Sequence, residues 1–158
     1  MTAHGGAGGS DDGAGGFVVE ERPPTVVELK EIFEAIGWLG DLPDDATVEL
    51  GLHNSLYAVC VSYRGRVVVC ARVVGDGAVY FYLQDVAVKP QFQSRGVGTL
   101  LMRSVLGYVT RHAADRAFIG LMAAPDAAGF YQRFGFSERP AGQPGMYRVW
   151  NRANRIGA

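Results

Sequence analysis

The chain has 158 residues, of which 48% are hydrophobic and 20% charged, a balance typical of one globular domain. Fifteen Lys and Arg stand against sixteen Asp and Glu, and a net charge of −1 argues against a general nucleic-acid binder. No apolar run approaches the roughly 20 residues that span a membrane, and the first residues lack a secretory signal. Two cysteines are too few for a disulfide scaffold or a four-ligand zinc site. We therefore expect a cytoplasmic protein without a metal, nucleic-acid or membrane partner.

The predicted organisation is one domain between two tails. Residues 1–16 hold seven of the 22 glycines and little that could pack in a core, so we predict a flexible tail there. The folded domain is predicted over residues 17–151. The polar residues 152–158 are expected to form a C-terminal tail.

The first predicted elements are a short strand and a helix. Residues 17–21 (FVVEE) are typical of a strand, and apolar residues then recur at helical spacing after Thr25. Thr25 and Glu28 have the spacing of a capping box, and Gly37 is expected to end the helix. Residues 38–56 leave a short helix and a loop open.

From Tyr57 the pattern changes to β-strands. The segments YAVCVSY, RVVVCARVV and AVYFYLQDVAV are separated by tight turns that contain glycine, which predicts an antiparallel meander. A two-residue turn at Arg64 and Gly65 would place Cys60 opposite Val69 and turn Cys70 to the other face of the sheet. We therefore predict two core thiols and no disulfide.

The second half of the predicted domain returns to mixed structure. A helix is predicted from about residue 98 to 112 and a strand over 117–122. A strand–helix–strand crossover makes the strands on either side of the helix parallel. A brief helix follows Pro125 and ends at Gly135, and the segments FGF and MYRVW are expected to supply the last strand.

A short glycine-containing loop precedes the 98–112 helix. Glycines let a ligand approach the backbone closely, and the first turn of a helix offers unpaired N–H groups and partial positive charge. The loop therefore suits a phosphate or pyrophosphate, with Arg95 and Thr99 adding side-chain contacts. It lacks the full dinucleotide fingerprint and the Gly-Lys-Ser/Thr of a P-loop. A plain strand–helix connection stays open on the loop alone.

Two segments together resemble one known family. LQDVAVKPQFQSRGVGTLLM is similar to the signature of the GCN5-related N-acetyltransferase (GNAT) superfamily, and FYQRFGF resembles its second element, in the same order. FYQRFGF and PGMYRVW also resemble arylalkylamine or serotonin N-acetyltransferase-type members. The resemblance implies an α/β (α+β) GNAT fold: a central mixed, mostly antiparallel sheet with a splayed parallel strand pair and helices on both faces.

The resemblance implies acetyl-CoA as the cofactor. Its pantetheine arm would pair with Val86, Ala87 and Val88, where the two parallel strands diverge. Its pyrophosphate would bind the backbone N–H groups of the loop, with Thr99 close by: Gln93, Ser94, Arg95, Gly96, Val97 and Gly98. The implied activity is acetyl transfer to a primary amine, of a small molecule or a protein, by direct attack in a ternary complex. An acyl-CoA-binding sensor without catalysis is the alternative, and an unrelated phosphate-binding α/β domain is a third.

The family also implies roles for catalytic residues. Tyr131 matches the tyrosine that protonates the departing thiolate. Gln84 occupies the position where several members carry a basic Glu, and alternation along a strand would turn its neighbour Asp85 to the opposite face. Asp85 is then either a buried hydrogen-bonding residue or the base. Tyr82, His53 or a chain of water molecules are the other candidates, and we favour a water-relayed path.

The acceptor pocket is expected to be aromatic and only weakly acidic. This composition favours an aromatic or modest-sized amine over a polycation, which would need a carboxylate-lined cleft. Membership of the hydrophobic core is the alternative role for these aromatic residues. A homodimer through the C-terminal strands stays open. The candidate substrate-binding residues are Trp38, His53, Tyr57, Tyr80, Tyr82 and Gln84.

Overall fold

The structure, a computed structural model, describes residues 16–40 and 42–148. It divides into two compact units, Met1–Met122 and Ala123–Ala158, which are described separately below. Nearly all of the predicted N-terminal tail and all of the C-terminal tail lie outside the described residues. A single domain over 17–151 stays a prediction.

In its described residues, 16–40 and 42–122, the first unit is a five-stranded sheet with three α-helices. The strand order is β1-β2-β3-β4-β5; neighbouring strands are antiparallel except for the parallel pair β4 and β5. The predicted mixed sheet with a parallel crossover pair is thus confirmed. In chain order the elements are β1 (Phe17–Glu20), α1 (Val26–Ile36), α2 (Asp45–His53), β2 (Tyr57–Tyr63), β3 (Arg66–Gly75), β4 (Tyr80–Val88), a 3₁₀ turn (Pro90–Phe92), α3 (Val97–His112) and β5 (Phe118–Leu121).

The limits of α1 follow from its capping residues, as predicted. The Glu28 N–H donates to Thr25 Oγ1 at 3.2 Å, and the Thr25 N–H donates to the Glu28 carboxylate at 2.7 Å. Gly37 ends the helix in the left-handed region, with φ of 75°. The undecided segment contains α2, where the Asp44 carboxylate accepts a hydrogen bond from the Thr47 N–H.

The predicted register between β2 and β3 is wrong by one residue. Val61 lies opposite Val69, whereas Ser62 lies opposite Val67, so a β-bulge inserts one extra residue into β3. Cys60 therefore lies opposite Cys70. Both cysteines are buried and free, which confirms two core thiols without a disulfide.

Helices cover both faces of the sheet. One face packs on α1 and α2 through a cluster of buried residues: Leu29, Ile32, Phe33, Leu52, Cys60, Val67, Cys70 and Ala87. Side chains alternate along a strand, so the fully buried Val59 and Val73 point to the other face. That face is covered by α3, which contacts β2 and β3 and buries Leu101 and Val105.

Over its described residues, 123–148, the second unit contains one short helix, α4 (Ala128–Gln132). The helix ends at Gln132, before the predicted end at Gly135, and Gly135 takes φ of 86° in the turn that follows. The prediction of strand structure in FGF and MYRVW is wrong for residues 134–148, which form turns and irregular backbone. Proline and glycine fill the segment between the two apolar groups, and such residues do not sustain a ladder of strand hydrogen bonds. Residues 149 and 150 lie outside the described chain.

Candidate functional site

The parallel strands stop pairing halfway along β4. β5 pairs with residues 80–83 and ends at Leu121, whereas β4 continues to Val88 alongside β3. Residues 84–88 therefore have no strand partner on the β5 side within the described sheet. An open strand edge of this kind can pair with an extended ligand through backbone hydrogen bonds. The predicted pantetheine-binding residues Val86, Ala87 and Val88 lie on this edge.

The loop after β4 holds a series of unpaired backbone donors. In the described chain, no protein acceptor lies within hydrogen-bond reach of the N–H groups of residues 94–98. Ser94 and Gly96 have φ of 59° and 79°, and α3 begins without a side-chain cap. Successive N–H groups in such a turn, continued by a helix N-terminus, form a site for an anion.

Two predicted loop residues have backbone N–H groups that are already used. The Gln93 N–H donates to the Pro90 carbonyl at 3.1 Å, and the Gln93 side chain donates to the Val88 carbonyl. The Thr99 N–H donates to the Gly96 carbonyl at 3.0 Å. The donors available to a phosphate are thus those of residues 94–98, and Gln93 ties the loop to the end of β4.

A second β-bulge changes the direction of Asp85. Cys70 lies opposite Ala87 and Arg72 opposite Gln84, so β4 has one extra residue at this point. Asp85 takes the left-handed conformation, with φ of 55°. The expectation that Asp85 and Gln84 point to opposite faces is therefore wrong: the Gln84 amide donates to Asp85 Oδ1 at 3.2 Å.

Asp85 is part of a buried polar network. Arg72 Nε donates to Asp85 Oδ2 at 2.6 Å, and the carboxylate side chain is only 8% exposed. The same guanidinium donates to the Gly51 carbonyl and the Ser55 hydroxyl, at 2.9 and 3.1 Å. The network joins the bulge of β4 to the end of α2.

A cleft of about 300 Å³ lies at the end of α2. Among the candidate substrate-binding residues, His53 and Tyr57 line it. The Tyr57 hydroxyl donates to the Glu21 carboxylate at 2.9 Å, and burial raises the pKa of Tyr57, so that side chain stays neutral. The residues that line this cleft, named here the α2–β2 cleft, are Glu21, Arg22, Pro23, Leu52, His53, Ser55, Leu56, Tyr57 and Ala58.

Glu21 and Arg22 give the α2–β2 cleft its charge. Arg22 donates to the carboxylates of Glu20 and Glu28, which neutralise it. No basic side chain in the described chain forms an ion pair with Glu21. Glu21 is therefore the carboxylate of the cleft lining that is left without a basic partner in the described chain, and it can accept a hydrogen bond from a cationic group.

The other candidate substrate-binding residues lie elsewhere. Trp38 is 44% exposed and packs edge-on against Phe33, and Tyr80 is exposed beside Phe118. Gln84 is exposed on β4. Tyr82 shares the face of Gln84, and its buried hydroxyl has no hydrogen-bond partner in the described part of the chain. Burial raises the pKa of Tyr82, which favours a hydrogen-bond donor over a base.

Tyr131 belongs to α4 in the second unit. Its ring packs edge-on against those of Phe130 and Phe136, with ring centroids 5.1 and 6.1 Å apart. The side chain is buried, and burial raises the pKa of the phenol. Tyr131 is therefore protonated at neutral pH, as a proton donor must be.

An open strand edge followed by an anion-binding loop defines a protein that can hold an extended ligand ending in phosphates. The family model described as "Acetyltransferase (GNAT) domain" matches residues 53–138, so the chain belongs to the GNAT acetyltransferase family. Members of this family transfer acyl groups from acyl-CoA. The fold and the resemblance to this family predicted from the sequence are confirmed.

Curated relatives extend the comparison. GCN5-related N-acetyltransferase 1, chloroplastic, from Arabidopsis thaliana is 31% identical over 130 residues, which are 81% of this chain and 64% of the relative. This chain thus spans less than two thirds of that protein. Serotonin N-acetyltransferase 2, chloroplastic, from Oryza sativa subsp. japonica is 34% identical over 143 residues, 87% of this chain and 70% of the relative.

Solved structures agree on the fold. A probable acetyltransferase from meticillin-resistant Staphylococcus aureus has a TM-score of 0.78 at 26% identity, over 85% of this chain and 99% of that one. A GNAT family acetyltransferase from Streptococcus pneumoniae has a TM-score of 0.70 at 26% identity, over 86% and 98%.

The comparisons leave the location of the protein undecided. Both plant relatives carry chloroplastic names, so the cytoplasmic location stays a prediction. Within residues 16–40 and 42–148, no helix has the length and apolar character needed to cross a membrane.

The sequence patterns did not identify several residues of the candidate site. Arg72 carried a signal: it is a charged residue in the apolar strand RVVVCARVV, and a buried charge requires a partner. Asp85 on the next strand was the acid available to it. Glu21 and Ser55 carried no such signal, because only the fold brings them together around the cleft.

Proposed function

We propose that this protein is an acetyl-CoA-dependent N-acetyltransferase that acts on a small primary amine by direct attack in a ternary complex. The observation that carries the proposal is the continuity of two binding features. The unpaired edge of β4, residues 84–88, leads through the 3₁₀ turn to the free N–H groups of residues 94–98. The pantetheine arm of CoA and the pyrophosphate that follows it would meet the strand edge and the loop in this same order.

Each feature would hold one part of acetyl-CoA. Val86, Ala87 and Val88 would bind the pantetheine arm through their backbone groups. The N–H groups of residues 94–98 would bind the pyrophosphate, and no side-chain cap of α3 has to be displaced. When bound, acetyl-CoA supplies the thioester carbonyl that the amine attacks: the C–N bond forms, the C–S bond breaks and the thiolate takes a proton.

The residues of the chain would manage the protons. Tyr131 is proposed as the donor to the thiolate, on the basis of its place in FYQRFGF and its raised pKa. An alkylamine with a pKa near 10 is only about 0.1% neutral at pH 7, so the reacting amine must lose a proton. Asp85 is held by Arg72, which favours a water-relayed path over direct base catalysis by Asp85. The Tyr82 hydroxyl, which has no hydrogen-bond partner among the described residues, is a candidate to orient that water.

The α2–β2 cleft is proposed to bind the body of the acceptor. Tyr57 lies opposite Val73, which lies opposite Leu83, the last residue of β4 that pairs with β5. Tyr57, in the cleft lining, is thus at the same height in the sheet as the start of the open edge of β4. Two strand spacings, about 10 Å, separate them. A volume of about 300 Å³ suits a small molecule, and Glu21 favours a cationic or hydrogen-bond-donating group on it.

A CoA-binding sensor without catalysis is the second candidate. One observation favours it: the only acidic residue of β4 is already engaged by Arg72, and Gln84 cannot accept a proton at neutral pH. Turnover separates the two candidates, because a sensor binds acetyl-CoA without releasing CoA.

Calorimetric binding of CoA tests the site on which the proposal depends. We expect saturable binding to the wild-type protein and at least tenfold weaker binding to Gly96→Val, because a β-branched residue strains a position with φ of 79°. Gly40→Val is the matched control, since Gly40 has open space around it and no positive φ. Binding of inorganic phosphate without binding of CoA would show that the loop binds an anion but would contradict the proposed cofactor.

A further inference from the structure

The guanidinium of Arg95 lies among three aromatic rings. Its central carbon is 5.2 Å from the ring centroid of Phe17, 5.2 Å from that of Tyr63 and 5.4 Å from that of Phe92. A cation within about 6 Å of a ring centroid is attracted by the negative face of the ring. Three such contacts on one side chain restrict where the charge can be.

The three rings form a connected group from three separate elements. Phe17 begins β1 and lies opposite Tyr63, the last residue of β2, and their ring centroids are 5.2 Å apart. Phe92 ends the 3₁₀ turn, and its ring is 6.1 Å from Phe17 and 5.5 Å from Tyr63. We name Phe17, Tyr63 and Phe92 the aromatic cage.

Among residues 16–40 and 42–148, no acidic side chain pairs with the charge that the cage holds. Arg95 is exposed, and within the described chain its side chain forms neither an ion pair nor a hydrogen bond with protein. Its backbone lies between Ser94 and Gly96, in the middle of the unpaired N–H groups. A restrained guanidinium, without an ion-pair partner among the described residues, therefore lies at the loop proposed to bind phosphates.

We propose that the aromatic cage is a positioning device that holds Arg95 ready to bind a phosphate group of the CoA nucleotide. The inference rests on the proposed use of acetyl-CoA. Arginine matches phosphate oxygens with two parallel N–H donors, provided that its plane is oriented correctly. The cage restricts the side chain before the ligand arrives, so less conformational freedom is lost on binding.

Calorimetric binding to purified variants tests the cage. Phe92→Leu keeps an apolar side chain but removes the ring face, and Phe92→Tyr restores it. Phe118→Leu, at the exposed first residue of β5, is the matched control for loss of a phenyl ring. The ligands are CoA, 3′-dephospho-CoA and pantetheine, and thermal unfolding of each variant verifies that it folds.

The expected result is a selective loss of phosphate-dependent affinity. Phe92→Leu should weaken CoA binding about fivefold, a size typical of exposed cation–π contacts, and Phe92→Tyr should recover it. Binding of pantetheine should not change. In the Arg95→Met background, Phe92→Leu should cause no further loss. If Phe92→Leu also weakens binding of 3′-dephospho-CoA about fivefold, Arg95 binds the pyrophosphate. If that binding does not change, Arg95 binds the 3′-phosphate.

Other results would overturn the proposal. An equal loss in the Arg95→Met background, or an equal loss of pantetheine binding, would assign the cage a purely structural role. Unchanged CoA binding by Phe92→Leu would also reject the cage while leaving the proposed function intact. Failure of the wild-type protein to bind CoA would instead reject the proposed function itself.

Discussion

Arg72 Nε lies 2.6 Å from Asp85 Oδ2, and this ion pair joins β3 to the bulge of β4. The two side chains are 15% and 8% exposed, so both charges are largely withdrawn from water. Asp85 also has a left-handed backbone, and its carbonyl accepts a hydrogen bond from the Cys70 thiol at 3.5 Å. The pair therefore holds a strained residue directly before the proposed CoA-binding edge.

Arg72→Met is expected to destabilise the fold by about 3 kcal/mol, because it leaves a buried carboxylate without its counter-charge. The double variant Arg72→Met/Asp85→Asn should be less destabilised than the sum of the single variants, since the uncompensated charge is gone. Asparagine also tolerates the positive φ of this position. Urea unfolding monitored by circular dichroism measures all three free energies of unfolding. Additive single effects would show that the two groups do not interact in solution.

Tyr131→Phe is expected to lower kcat at least tenfold with little change in the KM for acetyl-CoA, because only proton donation is lost. The raised pKa keeps the phenol protonated as pH rises through its ordinary value near 10, so loss of this proton should not limit the rate below that pH. Tyr147→Phe, at an exposed tyrosine of the same unit, is the control. A fully active Tyr131→Phe enzyme would remove Tyr131 from the proposed mechanism.

Thr25→Ala is expected to cost about 1 kcal/mol of unfolding free energy, because the Glu28 N–H loses its capping acceptor. Thr110→Ala, at an exposed position in the last turns of α3, should be nearly neutral. Chemical denaturation compares the two variants. Equal effects would mean that the capping box contributes no stability.

Capping, periodicity and glycine turns were enough to predict most of the fold. Thr25, Glu28 and Gly37 set the limits of α1 through contacts within one turn, which a sequence pattern records directly. The parallel pairing of β4 and β5 followed from the crossover rule.

The bulges were not predictable in the same way. Each inserts one residue into a strand without a proline or glycine to mark it, and each reverses the faces predicted beyond it. For this reason the sequence did not predict that Cys60 lies opposite Cys70 or that Asp85 points towards Gln84. The aromatic cage was also missed, because Phe17, Tyr63 and Phe92 meet only in the folded chain.

The two cysteines are expected to react slowly with thiol reagents in the native protein. Burial raises the pKa of Cys60 to about 12 and that of Cys70 well above its ordinary value, and the thiolate is the reactive form. Titration with a chromogenic disulfide should show two thiols promptly in denaturant and almost none without it. Prompt reaction of the native protein would indicate that the sheet opens at β2 and β3.

Release of CoA thiol from acetyl-CoA tests the central claim most directly. The acceptors are arylalkylamines, amino sugars, polyamines and peptide N-termini, and mass spectrometry identifies the acetylated product. We predict release that depends on one class of small amine, together with that amine gaining one acetyl group. Saturable binding of acetyl-CoA without release in the presence of any amine would contradict the account and favour the CoA-sensor function.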